Sequence, residues 1–519
     1  MLLKLEDMTV EQKIGFVLCA RRFEEDDIDF TLELIKNKAL GCVQAPADKP
    51  EIVKKLLDAA DYPILVVNDA ERGFPTSDLP KIPLMSLAAC DKKEYYTAFA
   101  KGIVRDAKKC GFNGTWGPVI DVLRGDGPCR VYRNFSDNPD KVSQAAEIIS
   151  QIFKDNGYLS TGKHYPGGHD CPFDTHMTEG ASELDEKDLE EFDLAPYIYL
   201  HKKGLLPCIM TGHNLFPKID PDYPASLSKK IIDIIRNKGF DGVAFTDSFA
   251  MMGILQKYGE ENVYGLAVAA GNDIILTNFR TPTRDCYNML LKNYKDGLFS
   301  EERLNEAVAR VLKAQEFVYN TRNITADFTA EDEKLLHDIA KDCITEVSDE
   351  NPPCLCDDRN DRMFVILTDN GFSDENGTPE IETGAWFNPI TCRDRIKELY
   401  PSAHIEFLPE FSGQMDNYRV LTTAAYYKEV VFVTFCTTTS YLGTDGFTRR
   451  TESVINGLIH SGKVPAIVHF GNPFALKTLW HIPKKIFGYM IPDSQKFAID
   501  VLKGLIPASG HLPFDVKFN

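Results

Sequence analysis

Eight short apolar runs recur along the first three-fifths of the chain, and each is followed by a helical or loop segment. The runs are Gly15–Ala20, Gly41–Gln44, Ile64–Asp69, Gly114–Val122, Ser160–His164, Cys208–His213, Gly242–Asp247 and Asp273–Asn278. Their lengths are those of strands, and their near-continuous apolar character is that of parallel strands buried on both faces. Between them lie amphipathic stretches such as Ile52–Ala60, Lys141–Asn156 and Lys229–Lys238. Eight β-α units over about 300 residues predict a (β/α)8 barrel, whose functional groups belong at the C-terminal ends of the strands. The polar residues that close the runs are Asp69, Asp121, His164, His213, Asp247 and Asn278.

The chain has 519 residues, too many for one ordinary core. Residues 1–320 form the expected barrel domain, with a capping box at Thr9–Gln12 opening its first helix. Residues 321–350 are mixed helix and loop and read as a linker. Beyond it, the runs Met363–Leu367, Val430–Phe435 and Val464–Phe470 alternate with helical stretches, so 351–519 is expected to be a second α/β layered domain. The fold class is therefore α/β, a TIM barrel followed by a layered α/β sandwich.

A net charge of -19, from 58 basic and 77 acidic side chains, argues against nonspecific nucleic-acid binding and against docking on anionic lipid. No apolar run reaches membrane-spanning length. The thirteen cysteines are scattered without a CxxC or a metal-ligand pairing, and most sit in apolar runs; neither a metal nor a cofactor is expected. Abundant thiols and a start without a hydrophobic leader predict a cytoplasmic protein. Oligomeric state is not legible.

Two segments carry the chemistry. The first runs Lys163-His164-Tyr165-Pro166-Gly167-Gly168-His169-Asp170 and continues to Asp174-Thr175-His176. The second is Gly242-Val243-Ala244-Phe245-Thr246-Asp247-Ser248. Displacement at a sugar carbon with retention needs a nucleophile on one face and a proton donor on the other. Asp247, at a strand end, is the candidate nucleophile, although an Asp there also caps helices. His176 lies in a Gly/Pro-rich loop, where Asp174 can hydrogen-bond its imidazole and fix the tautomer; the pair is the candidate acid/base. Lys163, His164, Arg133 and Asp69 are candidate donors and acceptors for sugar hydroxyls.

With these residues in place, the chain resembles glycoside hydrolase family 3, in its β-N-acetylglucosaminidase branch. That branch carries Lys-His-Phe-Pro-Gly-His-Gly-Asp followed by Asp-Ser-His. The resemblance extends to Met210-Thr211-Gly212-His213, Tyr223-Pro224-Ala225-Ser226-Leu227-Ser228, Phe240-Asp241-Gly242 and, at the far end, Gly471-Asn472-Pro473 and Ser509-Gly510-His511-Leu512-Pro513. It implies Asp247 as nucleophile, His176 as acid/base with Asp174 as partner, and Asp69, Arg133, Lys163 and His164 as ligands of the terminal sugar. It implies no metal or nucleotide cofactor and a small carbohydrate substrate, and the expected cytoplasmic location points to recycling of cell-wall fragments. The chain departs from the family pattern in the order Gly167-Gly168-His169 and in Ser77, where an arginine is usual. Phosphorolysis in place of hydrolysis, a non-catalytic sugar-binding barrel and a Schiff-base lyase using Lys163 are the competing readings.

Overall fold

A computed structural model describes residues 1–124, 131–168, 170–171, 174–368, 388–436 and 446–519. The described chain divides into two compact units. The first comprises Met1–Leu79, Tyr96–Pro128 and Asn134–Glu333; the second comprises Pro80–Tyr95, Cys129–Arg133 and Lys334–Asn519.

The first unit is the barrel. Its strands are β1 (Leu18–Ala20), β2 (Cys42–Gln44), β3 (Leu65–Asn68), β4 (Gly114–Thr115), β5 (Thr161–Tyr165), β6 (Cys208–Thr211), β7 (Val243–Thr246) and β8 (Ile275–Leu276). All pairings are parallel, in the orders β4-β3-β2-β1-β8 and β5-β6-β7. Parallel bridges between Gly114 and Leu159 and between Phe245 and Ile274 close the ring. Each of the eight apolar runs contains or overlaps one strand, β5 reaching one residue beyond its run, and nearly every strand residue is buried. Parallel strands with helices outside them have no wet face, which is why they read as unbroken apolar runs.

Most runs are longer in sequence than the strands they hold, and two show why. Thr9 and Gln12 do form the capping box, and the helix it opens, Val10–Phe16, takes up Gly15 and Phe16 before β1 begins. The run Gly114–Val122 stops laddering after Thr115 and then follows β5 through single bonds, from Thr161 N–H to the Gly117 carbonyl and from Ile120 N–H to the Lys163 carbonyl.

In the second unit, six strands form one sheet. They are β9 (Thr345–Ser348), β10 (Arg362–Thr368), β11 (His404–Pro409), β12 (Glu429–Cys436), β13 (Ala466–Gly471) and β14 (Lys484–Tyr489), in the order β11-β10-β12-β13-β14-β9. The first five run parallel and β9 pairs antiparallel with β14. The helices Pro389–Leu399 and Ser494–Lys503 pack together, as do Gln414–Ala424 and Arg449–His460. Right-handed crossovers from β10 to β11 and from β11 to β12 run in opposite directions and so bring their helices to opposite faces. The stretch 321–350 holds the helix Ala330–Asp342 and β9, so its second half is built into this sheet. Among the described residues, no helix is long and apolar enough to cross a membrane.

Candidate active site

The carboxylate of Asp247 stands just past β7. Its main-chain N–H donates to the Thr211 carbonyl at 2.8 Å, and its Oδ1 accepts the Ser248 N–H at 2.7 Å. One carboxylate oxygen is thereby held, while the side chain keeps 18% exposure. His164, at the β5 end, faces it with Nε2 4.0 Å from Asp247 Oδ2. The other side of that imidazole is fixed by Asp121, which accepts from His164 Nδ1–H at 2.8 Å and from the His164 main-chain N–H at 2.6 Å. Asp121 thus orients His164 through its carboxylate, and its carbonyl accepts from Asn134 Nδ2 at 2.9 Å.

Lys163, beside His164, is buried and reaches Asp69 Oδ1 at 2.7 Å. It also pairs with Glu71. The ammonium therefore lies between two carboxylates, with Asp69 half-exposed and able to accept from a ligand. His213 is held on both sides: Ser226 O–H donates to Nδ1 at 2.8 Å and Nε2–H donates to the Ser248 carbonyl at 3.1 Å. Asn278 donates to Glu260. These two strand-end residues serve the framework.

His176 sits in the loop after β5. Its Nδ1–H donates to Asp174 Oδ1 at 2.7 Å, and the same oxygen accepts the His176 main-chain N–H at 3.0 Å. Asp174 is buried and His176 is 20% exposed on its side chain. The loop is clamped from the segment that follows Asp247. Met252 N–H donates to the His176 carbonyl, and a Cβ on Gly253 would fall 2.3 Å from the Thr178 carbonyl oxygen and 2.7 Å from that of Thr175. Only glycine permits that approach. The nucleophile candidate and the acid/base candidate are thus borne by segments in direct contact. Of the loop, His169, Pro172 and Phe173 lie outside the described residues.

Arg133 lies in the 3-10 turn Val131–Arg133 of the second unit. Sequence reasoning missed Arg21 and Glu71. Arg21 follows β1 and donates to Gln44, to Ser248 Oγ and to the Thr277 carbonyl, the last at 2.9 Å. Burial lowers this guanidinium from its usual value, and the negative charges of Asp69 and Asp247 oppose that shift. Arg21 therefore ties the ends of β2, β7 and β8 together from beside β1. Its only sequence signal is its place after a barrel strand, just before the acidic run Glu24–Asp27. Glu71 could have been found from its spacing of two from Asp69. At Ser77 the hydroxyl donates to Asp106, so the position has become a structural contact. Among the described residues, no group of three or more His, Cys, Asp or Glu side chains is arranged to hold a metal ion.

An eight-stranded parallel barrel whose C-terminal strand ends gather carboxylates, a lysine and histidines has the layout of a barrel enzyme. Residues 31–314 match the Glycosyl hydrolase family 3 N terminal domain, and the chain belongs to that family of glycoside hydrolases. It is 28% identical over 233 residues to a beta-hexosaminidase of Tolumonas auensis, a span of 43% of this chain and 69% of that protein. With a beta-hexosaminidase of Chromobacterium violaceum it shares 33% identity over 178 residues, 34% of this chain and 49% of the other. In fold it is similar to a family 3 beta-N-acetylglucosaminidase from Paenibacillus sp. str. FPU-7, with a TM-score of 0.80 at 22% identity over 99% of this chain and 100% of that one. A beta-glucoside phosphorylase superposes with a TM-score of 0.81 at 19% identity, over 98% and 94% of the two chains.

Proposed function

We propose that the protein is a retaining exo-β-N-acetylglucosaminidase that releases a terminal β-linked N-acetylglucosamine. The observation that carries this reading is the Asp174–His176 pair, with its 2.7 Å bond to Nδ1, clamped against the segment that bears Asp247. Asp247 attacks the anomeric carbon while imidazolium His176 gives its Nε2 proton to the leaving oxygen. The product of this step is a glycosyl ester on Asp247. Neutral His176 then takes a proton from water, and the hydroxide attacks the same carbon from the opposite face. The bond to Asp247 breaks, and the sugar leaves with its original configuration. Asp174 stabilises the imidazolium and holds Nε2 toward the substrate. Lys163, Asp69 and His164 bind the ring hydroxyls. The Ser248 N–H holds Asp247 Oδ1 in place.

The relatives named beta-hexosaminidase support the acetamido sugar. A cytoplasmic enzyme acting on cell-wall fragments is the setting we infer. The test is a rate comparison on chromogenic N-acetylglucosaminide, N-acetylgalactosaminide and glucoside, with and without phosphate. The N-acetylglucosaminide should be cleaved fastest, without a phosphate requirement. Preference for the plain glucoside would remove the substrate assignment. A strong phosphate requirement with a sugar phosphate as product would make the enzyme a phosphorylase.

A further inference from the structure

Twelve cysteines are described, and they divide sharply by environment. Nine are buried, Cys110 is half-buried, and Cys354 and Cys356 are exposed. Burial pushes the Cys208 and Cys286 thiols up to about 12, where they are inert toward electrophiles in water. Cys354 and Cys356 lie in the second unit on either side of Leu355, which is 1% exposed. The carbonyl of Leu355 accepts from Tyr400 Oη at 2.9 Å and from Arg362 Nη1 at 3.3 Å, and Arg362 Nη1 also donates to the Asp357 carbonyl at 2.8 Å. The strap is therefore pinned through its middle residue and its end, with the two flanking thiols turned outward. A Cβ on Gly504 would come within 2.9 Å of Cys356 Sγ, so a glycine leaves that sulfur its room. Hydrogen bonds from the Cys356 thiol and then the Cys356 main-chain N–H lower Cys354 below the ordinary thiol value, and Lys484 adds to the effect. The bond between the thiols and desolvation raise Cys356. One sulfur is set to attack and its neighbour to resolve.

We propose that Cys354 and Cys356 form a redox-active surface dithiol, a site of reversible exchange with low-molecular-weight disulfides. The Cys354 thiolate attacks one sulfur of a disulfide RSSR. A bond forms between Cys354 Sγ and that sulfur, and RS⁻ leaves and takes up the proton that Cys354 released. Cys356 then loses its proton to solvent and attacks Cys354 Sγ, expelling the second RS⁻. The protein dithiol is oxidised by two electrons to a disulfide, and RSSR is reduced to two RSH. A bridge between residues two apart is a small, exposed ring, which places it among the labile disulfides that a thiol pool reopens.

The test uses bis(2-hydroxyethyl) disulfide on the native full chain at neutral pH, followed by intact mass and peptide mapping. The parent protein should lose two hydrogens, mapped to a Cys354–Cys356 link, and regain them with excess glutathione. Cys356→Ser should stop at one mixed disulfide on Cys354. Cys354→Ser should likewise stop at one mixed disulfide on Cys356. Mixed disulfides that persist on the parent protein at either position would overturn the proposal. So would failure of both thiols to react, or a two-hydrogen loss that maps to other cysteines.

Discussion

His176 in the barrel unit and His469 in the sheet of the second unit have opposite surroundings. His176 is partly exposed and gives Nδ1–H to a carboxylate, 2.7 Å away on Asp174. His469 is fully buried in β13. Thr434 O–H donates to its Nδ1 at 2.8 Å, and its Nε2–H donates to the Asn472 carbonyl at 2.8 Å. Both ring nitrogens of His469 are held by neutral partners, and burial depresses its pKa to about 4. One histidine has a negative partner and partial access to water; the other is locked in a neutral tautomer. Residue type does not separate them. The charge of the partner and access to water do.

The comparison can be broken in several places, and the largest effect is expected at Asp247. Asp247→Asn should lower kcat by roughly 10⁴-fold or more, with unchanged melting temperature, as loss of a covalent nucleophile does. Steady-state turnover within tenfold of the parent would take Asp247 out of the mechanism.

At the dyad, His176→Ala should cost about 10² to 10⁴ in kcat/KM on a poor leaving group and far less on a nitrophenol. If Asp174 works only through the imidazole, Asp174→Ala should add little to His176→Ala. Additive losses in the double-mutant cycle would separate the two residues.

A smaller effect belongs to the clamp. Gly253→Ala forces a Cβ against the carbonyls of Thr175 and Thr178. It should lower kcat by roughly ten- to a hundredfold, because a displacement of about 1 Å misdirects a proton donor. The loss should be larger for substrates that need acid help. A uniform loss across leaving groups would mean that the clamp does not act through His176.

The smallest effect is on stability alone. His469 titrates at about 4 when folded, against a usual 6.5. Folding therefore opposes its protonation. Its contribution is fully present above about pH 6.5 and is lost as pH falls toward 4, by on the order of 3 kcal/mol at most. Denaturant unfolding of the second unit should be weaker at pH 5 than at pH 7, and His469→Gln should flatten that slope. Equal slopes in the parent and the variant would remove His469 as the source.

What the sequence disclosed follows the same physics. The eight barrel strands were legible because parallel strands buried on both faces leave uninterrupted apolar runs. Asp69, His164 and Asp247 were legible because they terminate those runs. In the second unit β10, β12 and β13, the buried middle of the sheet, were legible for the same reason. The strands β9, β11 and β14 were not, since β9 and β11 are half-buried edges and β14 opens on two lysines. Arg21 and the Gly253 clamp were hidden because each depends on contacts between segments far apart in sequence. The inclusion of residues 80–95 in the second unit was hidden for the same reason.

The central claim is double displacement through Asp247, and the anomer formed first tests it most directly. Proton NMR during the first minutes of hydrolysis of a β-linked N-acetylglucosaminide should show the β-sugar appearing first, with the α-anomer growing only as fast as mutarotation allows. Initial release of the α-anomer would mean a single displacement by water and would contradict a covalent role for Asp247.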